Sequence, residues 1–359
     1  MVPDAVNLAS VQRALVVKLR HHGDVLLASP VLQVLKNRAP HVEIDALVYS
    51  DTREMLEGHP ALSRLHLIDR SWKRAGLAIQ ARHEGALFSA LNSRRYQLLV
   101  HLTDHWRGAW LAQGLRPRWS VAPARDSRAW RWAFSHRYAL PRGTPRHTVE
   151  LNLDALRRLG IYPDESEKRL VMVPGAEAMR AVDALLAKHG LATGGFIQVH
   201  PTSRWLFKAW TEAANAELIR RLAKDGHRVV ITGAPDAREK SIIGRILGEG
   251  SGAVDLSGQL GLREMAALTA RARLFFGVDS APMHIAAAMG TPVVVLFGPS
   301  DERAWGPWKV PHRVVTTNHV CRPCNNDGCG GGKVSECLTQ LPVDRVHSAI
   351  NELLAAGTR

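Results

Sequence analysis

The run Asp279-Ser280-Ala281-Pro282-Met283-His284 puts a carboxylate, a hydroxyl, a helix-initiating proline and an imidazole side by side. The apolar segment Leu274-Phe275-Phe276-Gly277-Val278 precedes it and Ala286-Ala287-Ala288 follows. That order reads as a buried strand, a polar corner and a small-residue helix. At the carboxyl end of such a strand, free N–H groups and the positive end of the helix dipole suit a phosphate or pyrophosphate. A plain cap, with Asp279 at the N-cap and Pro282 in the first turn, would use the same residues. Two features favour a ligand. The helix is built of Ala, Met and Gly, so its backbone can approach the sheet closely. The next apolar run, Pro292 to Phe297, ends in a second polar loop on the same edge, Gly298-Pro299-Ser300-Asp301.

A second corner has the same form. Ala14 to Leu19 is apolar apart from Lys18, and Arg20-His21-His22-Gly23-Asp24 follows, directly before a helical pattern running from Val25 toward Arg38. Asp24 could serve only as an N-cap beside a glycine-aided turn. It could equally take a proton from an attacking hydroxyl. A helix N-terminus keeps such a carboxylate ionised and weakly basic, so its position must supply much of the effect.

Two corners of this kind require two α/β halves. In the first, strands are expected at Ala14–Leu19, Ile44–Tyr49, Leu65–Ile68 and Leu98–Leu102. In the second, they are expected at Phe196–Val199, Arg228–Ile231, near Val254–Leu256, and around the two apolar runs above, with a helix from Trp210 to Lys224. Alternating strands and helices predict two doubly wound parallel sheets, each a Rossmann-like domain. The crossing falls near residues 165–174. The domains are residues 1–172 and 173–341, and 342–359 is a closing helix expected to pack back toward the N-terminal domain.

The chain of 359 residues carries a net charge of +14, which calls for an anionic partner. Much of the charge is local: Arg116, Arg118, Arg125, Arg128, Arg131, Arg137, Arg142 and Arg146 are interleaved with Trp119, Trp130, Trp132 and Phe134, and Asp126 is the only acid among them. A solvated loop, a nucleic-acid surface and a contact with a membrane or anionic glycolipid all fit this composition. No nucleic-acid recognition module is visible, so nucleic acid is not expected. No stretch approaches the roughly 18–20 apolar residues of a membrane span, and Met1 to Arg13 lacks a signal-peptide core. The expectation is a cytoplasmic, soluble protein.

Five motifs in order resemble glycosyltransferase family 9, and most of all the heptosyltransferases of the lipopolysaccharide inner core, the heptosyltransferase III branch in particular. They are Lys18-Leu19-Arg20-His21-His22-Gly23-Asp24 with Ser29-Pro30; Leu102-Thr103-Asp104-His105-Trp106; His200-Pro201-Thr202-Ser203-Arg204 with Phe207-Lys208-Ala209-Trp210; Gly277 to His284; and Phe297-Gly298-Pro299 with Trp305-Gly306-Pro307-Trp308. The resemblance implies a GT-B fold, two domains facing a cleft, with acceptor sugar on the N-terminal one and ADP-heptose on the C-terminal one. It makes Asp24 the general base. It places Thr202, Ser203 and Lys208 around the donor phosphates and Asp279, Ser280, Ala281 and His284 around pyrophosphate and heptose. Lys18, Arg20, His22, Asp104, Arg125, Arg128 and Arg131 fall to an anionic lipid A–Kdo–heptose acceptor at the inner face of the cytoplasmic membrane. A fixed cation such as Lys208 can stabilise the leaving ADP, and no Asp-x-Asp motif exists to hold a metal. Metal-independent transfer with inversion, no cofactor and a monomer are therefore expected.

Where the family often sets a glutamate against the ribose, this chain has Gly233-Ala234-Pro235-Asp236-Ala237, leaving Asp236 or Glu239 for that contact. Leu260 matches an apolar residue over the adenine. The four cysteines, Cys321, Cys324, Cys329 and Cys337, cluster in a glycine-rich loop; structural zinc, free thiols and disulfides all remain open. Heptosyltransferases of the I or II type, or a family member with another nucleotide sugar, are the nearest alternatives. A nucleotide-sugar epimerase or dehydrogenase would want Gly-x-Gly-x-x-Gly after the first strand, which offers only Gly23. A non-catalytic sugar-nucleotide binder would need both corners but no base.

Overall fold

A computed structural model describes residues 4–140 and 145–356 in two compact units that divide between Val173 and Pro174. Arg142 and residues 357–359 lie outside the described residues. The first unit carries β1 (Arg13–Val17), α1 (His22–Leu26), α2 (Ser29–Arg38), β2 (Glu43–Tyr49), β3 (Leu62–Ile68), α3 (Leu77–Ser93), β4 (Leu98–His101), α4 (Trp106–Leu115), β5 (Trp119–Pro123), α5 (Arg128–Ala133), β6 (His136–Tyr138) and α6 (Thr148–Arg158). Its sheet runs β3-β2-β1-β4-β5-β6, with every pair parallel. Parallel strands need a crossover between them, and helices on both faces leave the central strands dry: Ala14 to Val17 and Leu98 to His101 are all buried.

The second unit carries α7 (Gly175–Lys188), β7 (Phe196–His200), α8 (Glu212–Lys224), β8 (Arg228–Ile231), α9 (Ala237–Leu247), β9 (Val254–Asp255), α10 (Leu262–Thr269), β10 (Leu274–Val278), α11 (Ala281–Met289), β11 (Val293–Leu296), α12 (Glu302–Trp305), β12 (His312–Val315), α13 (Glu336–Thr339) and α14 (Val343–Ala356). Its order is β12-β11-β10-β7-β8-β9, again parallel throughout. The two doubly wound sheets expected from the sequence are both present.

Several expectations need correction. The helix from Val25 to Arg38 is broken: α1 ends at Leu26, and α2 restarts with Pro30 in its first turn. Proline lacks an N–H and its ring clashes with the carbonyl four residues back, so it opens a helix but does not continue one. The described part of the Arg116–Arg146 stretch is not a single loop. It contains β5, α5 and β6, and Trp130 and Phe134 are core residues packed with His101. Arg137 is bound to the Arg131 and Phe134 carbonyls, and the charge of Arg146 is offset by Asp154. The closing helix α14 buries Val346, Ile350, Leu353 and Leu354 in the core of the second unit, among α8, β11 and β12.

The cores also enclose neutral imidazoles. Burial holds His59 at about 4 and His101 at about 3 in the first unit, and His200 at about 4 in the second. His101 fits because Gly108 lies against its ring; a Cβ there would come within 2.2 Å. As pH falls below 6.5 the unfolded chain takes up these protons before the folded one does. Stability is therefore fully present above that pH and drops toward pH 4, by about 1.4 kcal/mol per pH unit for each group. We predict that the urea midpoint, followed by fluorescence, falls across this window, and that His101→Asn removes one group's share of the slope. An unchanged slope in that variant contradicts the assignment.

Candidate active site

In the first unit the chain leaves β1 at Lys18, whose side chain is buried. Its Nζ donates to the Leu102 carbonyl (3.2 Å) and to Asn152 Oδ1 (3.0 Å). Burial lowers this amine to about 8, against the opposing pull of the Asp24 carboxylate. Asn152, on α6, turns its amide nitrogen to the Leu27 carbonyl (2.9 Å). One side chain thus ties the end of β1 to the end of α1, the helix that carries Asp24. Asp24 is half-buried in the first turn of α1, and the N-cap position belongs to His21.

Around this corner Arg20 pairs with Asp104 (2.9 Å), and Arg125 donates to the Asp104 carbonyl. The Arg125 guanidinium lies over the rings of Trp106 (5.4 Å) and Trp130 (5.1 Å). His22 Nε2 donates to the Asp51 carbonyl (2.8 Å), while Arg70 reaches the Arg20 carbonyl (3.1 Å) and the Asp51 carboxylate (3.3 Å). Arg20, His22, Asp104 and Arg125 therefore belong to connected polar contacts. Lys18 is a positioning residue below them, not a surface ligand. Arg128 and Arg131 stand exposed on α5. Sequence reading missed Asn152, Asp51 and Arg70. For Asn152 a signal existed: it interrupts the apolar stripe Val149, Leu153, Leu156 of α6, and a polar residue on a buried stripe needs partners.

In the second unit, β7 and β10 are neighbours with His200 opposite Gly277. A Cβ on Gly277 would come within 2.8 Å of the Phe275 ring and 3.0 Å of the His200 carbonyl, so glycine lets the strands close at this edge. The loops beyond them meet: Lys208 Nζ donates to Asp279 Oδ2 at 2.6 Å, with both side chains largely shielded from solvent. Asp279 therefore does not cap α11. Ser280 occupies the N-cap position, and its hydroxyl donates to the Val278 carbonyl (3.2 Å). Ala281 opens the helix and His284 is buried one turn on.

Thr202 is fully buried and donates to Glu239 Oε2 (2.7 Å), which also accepts from the Ala234 N–H (3.1 Å). Ser203 Oγ accepts from the Trp205 N–H (3.3 Å). Of the two carboxylates left open by the sequence, Asp236 is exposed and caps α9 through the Arg238 and Glu239 N–H groups. Glu239 is the one turned into the corner beside Thr202. Leu260 packs against the core cluster of Ala178, Val182 and Leu256.

The cysteine loop holds free thiols, with Cys337 buried and Cys321 and Cys329 exposed. Burial pushes the Cys337 thiol up, against the nearby Arg322 guanidinium. Among the described residues no group of three His, Cys, Asp or Glu side chains is arranged to hold a metal ion. Arg322 pins the loop by donating to the Gly298 carbonyl (2.7 Å) and pairing with Glu302 (3.0 Å).

Residues 85–334 match the sequence pattern of glycosyltransferase family 9 (heptosyltransferase). The chain is 34% identical over 305 residues to lipopolysaccharide heptosyltransferase 3 of Escherichia coli, covering 81% of this chain and 84% of that one. In structure it is similar to the family 9 glycosyltransferase of Veillonella parvula (TM-score 0.84, 22% identity, 98% and 99% of the two chains). It is also similar to E. coli heptosyltransferase WaaC with ADP-2-deoxy-2-fluoro heptose (TM-score 0.74, 21% identity, 95% and 99%). The fold class is the GT-B type of the heptosyltransferase structures. The two polar corners, the five motifs in order and this match over most of the chain establish that it belongs to glycosyltransferase family 9, the heptosyltransferases.

Proposed function

We propose that this enzyme moves heptose from ADP-heptose to a heptose of the lipopolysaccharide inner core, with inversion and without a metal. The observation that carries the reading is the held position of Asp24, in a helix fastened through Asn152 to a buried lysine at the strand end. Asp24 accepts the proton of the acceptor hydroxyl as that oxygen bonds to the anomeric carbon. The bond from that carbon to the phosphate oxygen breaks on the opposite face, and ADP leaves with the electron pair. Lys208 and the first N–H groups of α11 meet the charge that develops on the phosphate. Glu239, fixed by Thr202, is the carboxylate we assign to the ribose, with Asp236 kept as the cap.

The acceptor is an anionic lipid A–Kdo–heptose. Arg20, His22, Asp104 and Arg125 supply its polar contacts, and Arg128 and Arg131 add charge nearby. This reading makes the protein a peripheral, monomeric enzyme of the inner face of the cytoplasmic membrane. Among the described residues no helix is long and apolar enough to cross a membrane.

Asp24→Asn is expected to lower turnover by roughly 10² or more while ADP-heptose affinity changes little. Product mass spectrometry and calorimetric titration of the donor measure the two effects; near-normal turnover in a folded variant removes Asp24 as the base.

Lys208→Ala is expected to weaken ADP binding by roughly tenfold or more, because it removes a charge-assisted contact and leaves Asp279 unpartnered next to the phosphates. Chelation of metal should leave transfer intact. Recovery of a chelated, inactive enzyme on adding magnesium would show that the metal-free scheme is wrong.

A further inference from the structure

Helix α3 is at odds with its composition. Over seventeen residues it buries only Leu91, while Leu77 (87% exposed), Ile79 and Phe88 face solvent. An amphipathic helix that belonged wholly to the core would turn such residues inward. Beside it opens a cavity of about 470 Å³, floored by Leu47 and Ile68 and walled by Leu87, Phe88, Trp106 and Trp110. Trp110 is 75% exposed at its rim. The apolar surface continues across α4 to α5, where Trp132 is 79% exposed and its carbonyl accepts from Gln113. Contiguous exposed apolar surface of this kind marks an interaction site.

The charges around it select the partner. Lys73 and Arg74, in the 3-10 turn Arg70–Arg74, Arg82 on α3, and Arg128 and Arg131 on α5 are basic and exposed. Glu84 is the only acid between residues 70 and 94, and it is tied to Arg107 by two hydrogen bonds of 2.8 Å. A second copy of the chain would bring like charges together across the face. Tryptophan prefers the headgroup zone of a bilayer, and basic residues beside exposed apolar ones suit a surface of anionic lipid.

We infer that the face formed by the Arg70–Arg74 turn, α3, α4 and α5 is the membrane-docking surface, with Leu77, Ile79, Trp110 and Trp132 entering the headgroup layer of an anionic bilayer. The inference rests on the peripheral, lipid-acceptor reading above for the chemistry of its partner. It assigns that contact mainly to α3 and the exposed aromatics, which lie outside the Asp24 corner.

Two probes separate the face from the catalytic reading. The first is sedimentation with vesicles of phosphatidylcholine alone or with phosphatidylglycerol, free of lipopolysaccharide. Wild-type protein should bind the anionic vesicles and lose binding as salt rises. Leu77→Gln, Ile79→Gln, Trp110→Gln and Trp132→Gln together should reduce that binding by roughly tenfold or more. Lys73→Glu, Arg74→Glu and Arg82→Glu should act in the same direction. The second probe is transfer to a deacylated, water-soluble acceptor, on which the apolar variant should match wild type.

Brominated lipid should quench wild-type tryptophan fluorescence, and less so after Trp110→Phe and Trp132→Phe, a measurement that survives if the fourfold variant folds poorly. Undiminished vesicle binding by both variants overturns the inference. Loss of activity on the soluble acceptor by the apolar variant would overturn it too, by placing the face in the sugar site, and a dimer that falls apart in that variant would assign the face to a second copy. If wild type ignores anionic vesicles yet acts on the soluble acceptor, docking fails while the transferase reading stands.

Discussion

Parallel pairing aligns the carboxyl ends of neighbouring strands, and nearly all the polar chemistry of this chain lies just beyond those ends. In the first unit β1 delivers Lys18, Arg20 and Asp24, while β4 and β5 deliver Asp104 and Arg125 to the same edge. In the second unit β7 delivers Thr202 and Lys208, β8 leads to Glu239, and β10 delivers Asp279. Backbone groups within the strands are occupied by ladder hydrogen bonds, and both faces are covered by helices. The strand ends are where unsatisfied groups and fixed charges can gather without being sealed from a ligand.

Holding charges at such an edge requires anchors underneath. Asn152 offers a carbonyl oxygen to Lys18 and an amide hydrogen to Leu27, so both halves of its amide are used in the dry interior. A similar device steadies the far side of the first sheet. Asp45, fully buried on β2, bonds His66 Nε2 (3.4 Å) and accepts from Arg94 (2.8 and 3.1 Å) and from the Tyr96 hydroxyl (2.6 Å), and despite burial these contacts, His66 first, keep its carboxyl at about 2. A buried carboxylate with fewer donors would take up a proton.

The sequence reveals the central strands well, because dry parallel strands are continuous apolar runs; β1, β4, β7, β8, β10 and β11 are legible for that reason. Strands β5 and β6 are not. Trp119-Ser120-Val121-Ala122-Pro123 and His136-Arg137-Tyr138 sit in a basic stretch with no apolar run, and they become strands because β4 offers an open edge for pairing. The site divides in the same way. Lys208, Thr202 and Asp279 are readable from local motifs. The turning of Glu239, not Asp236, toward Thr202 and the burial of Lys18 against Asn152 depend on contacts across 37 and 134 residues, which no local pattern records.

The Lys208–Asp279 pair sets a condition on turnover. The lysine is paired with a carboxylate 2.6 Å away. If Lys208 meets the donor phosphates as proposed, an incoming phosphate must compete with that carboxylate for the same ammonium. The net gain is the difference between two ion pairs, smaller than either alone. On the same proposal, Asp279 reclaims its partner once the sugar has gone and ADP departs. A cation with a built-in substitute anion binds its ligand less tightly but lets it go sooner, which favours rapid cycling over retention of spent nucleotide.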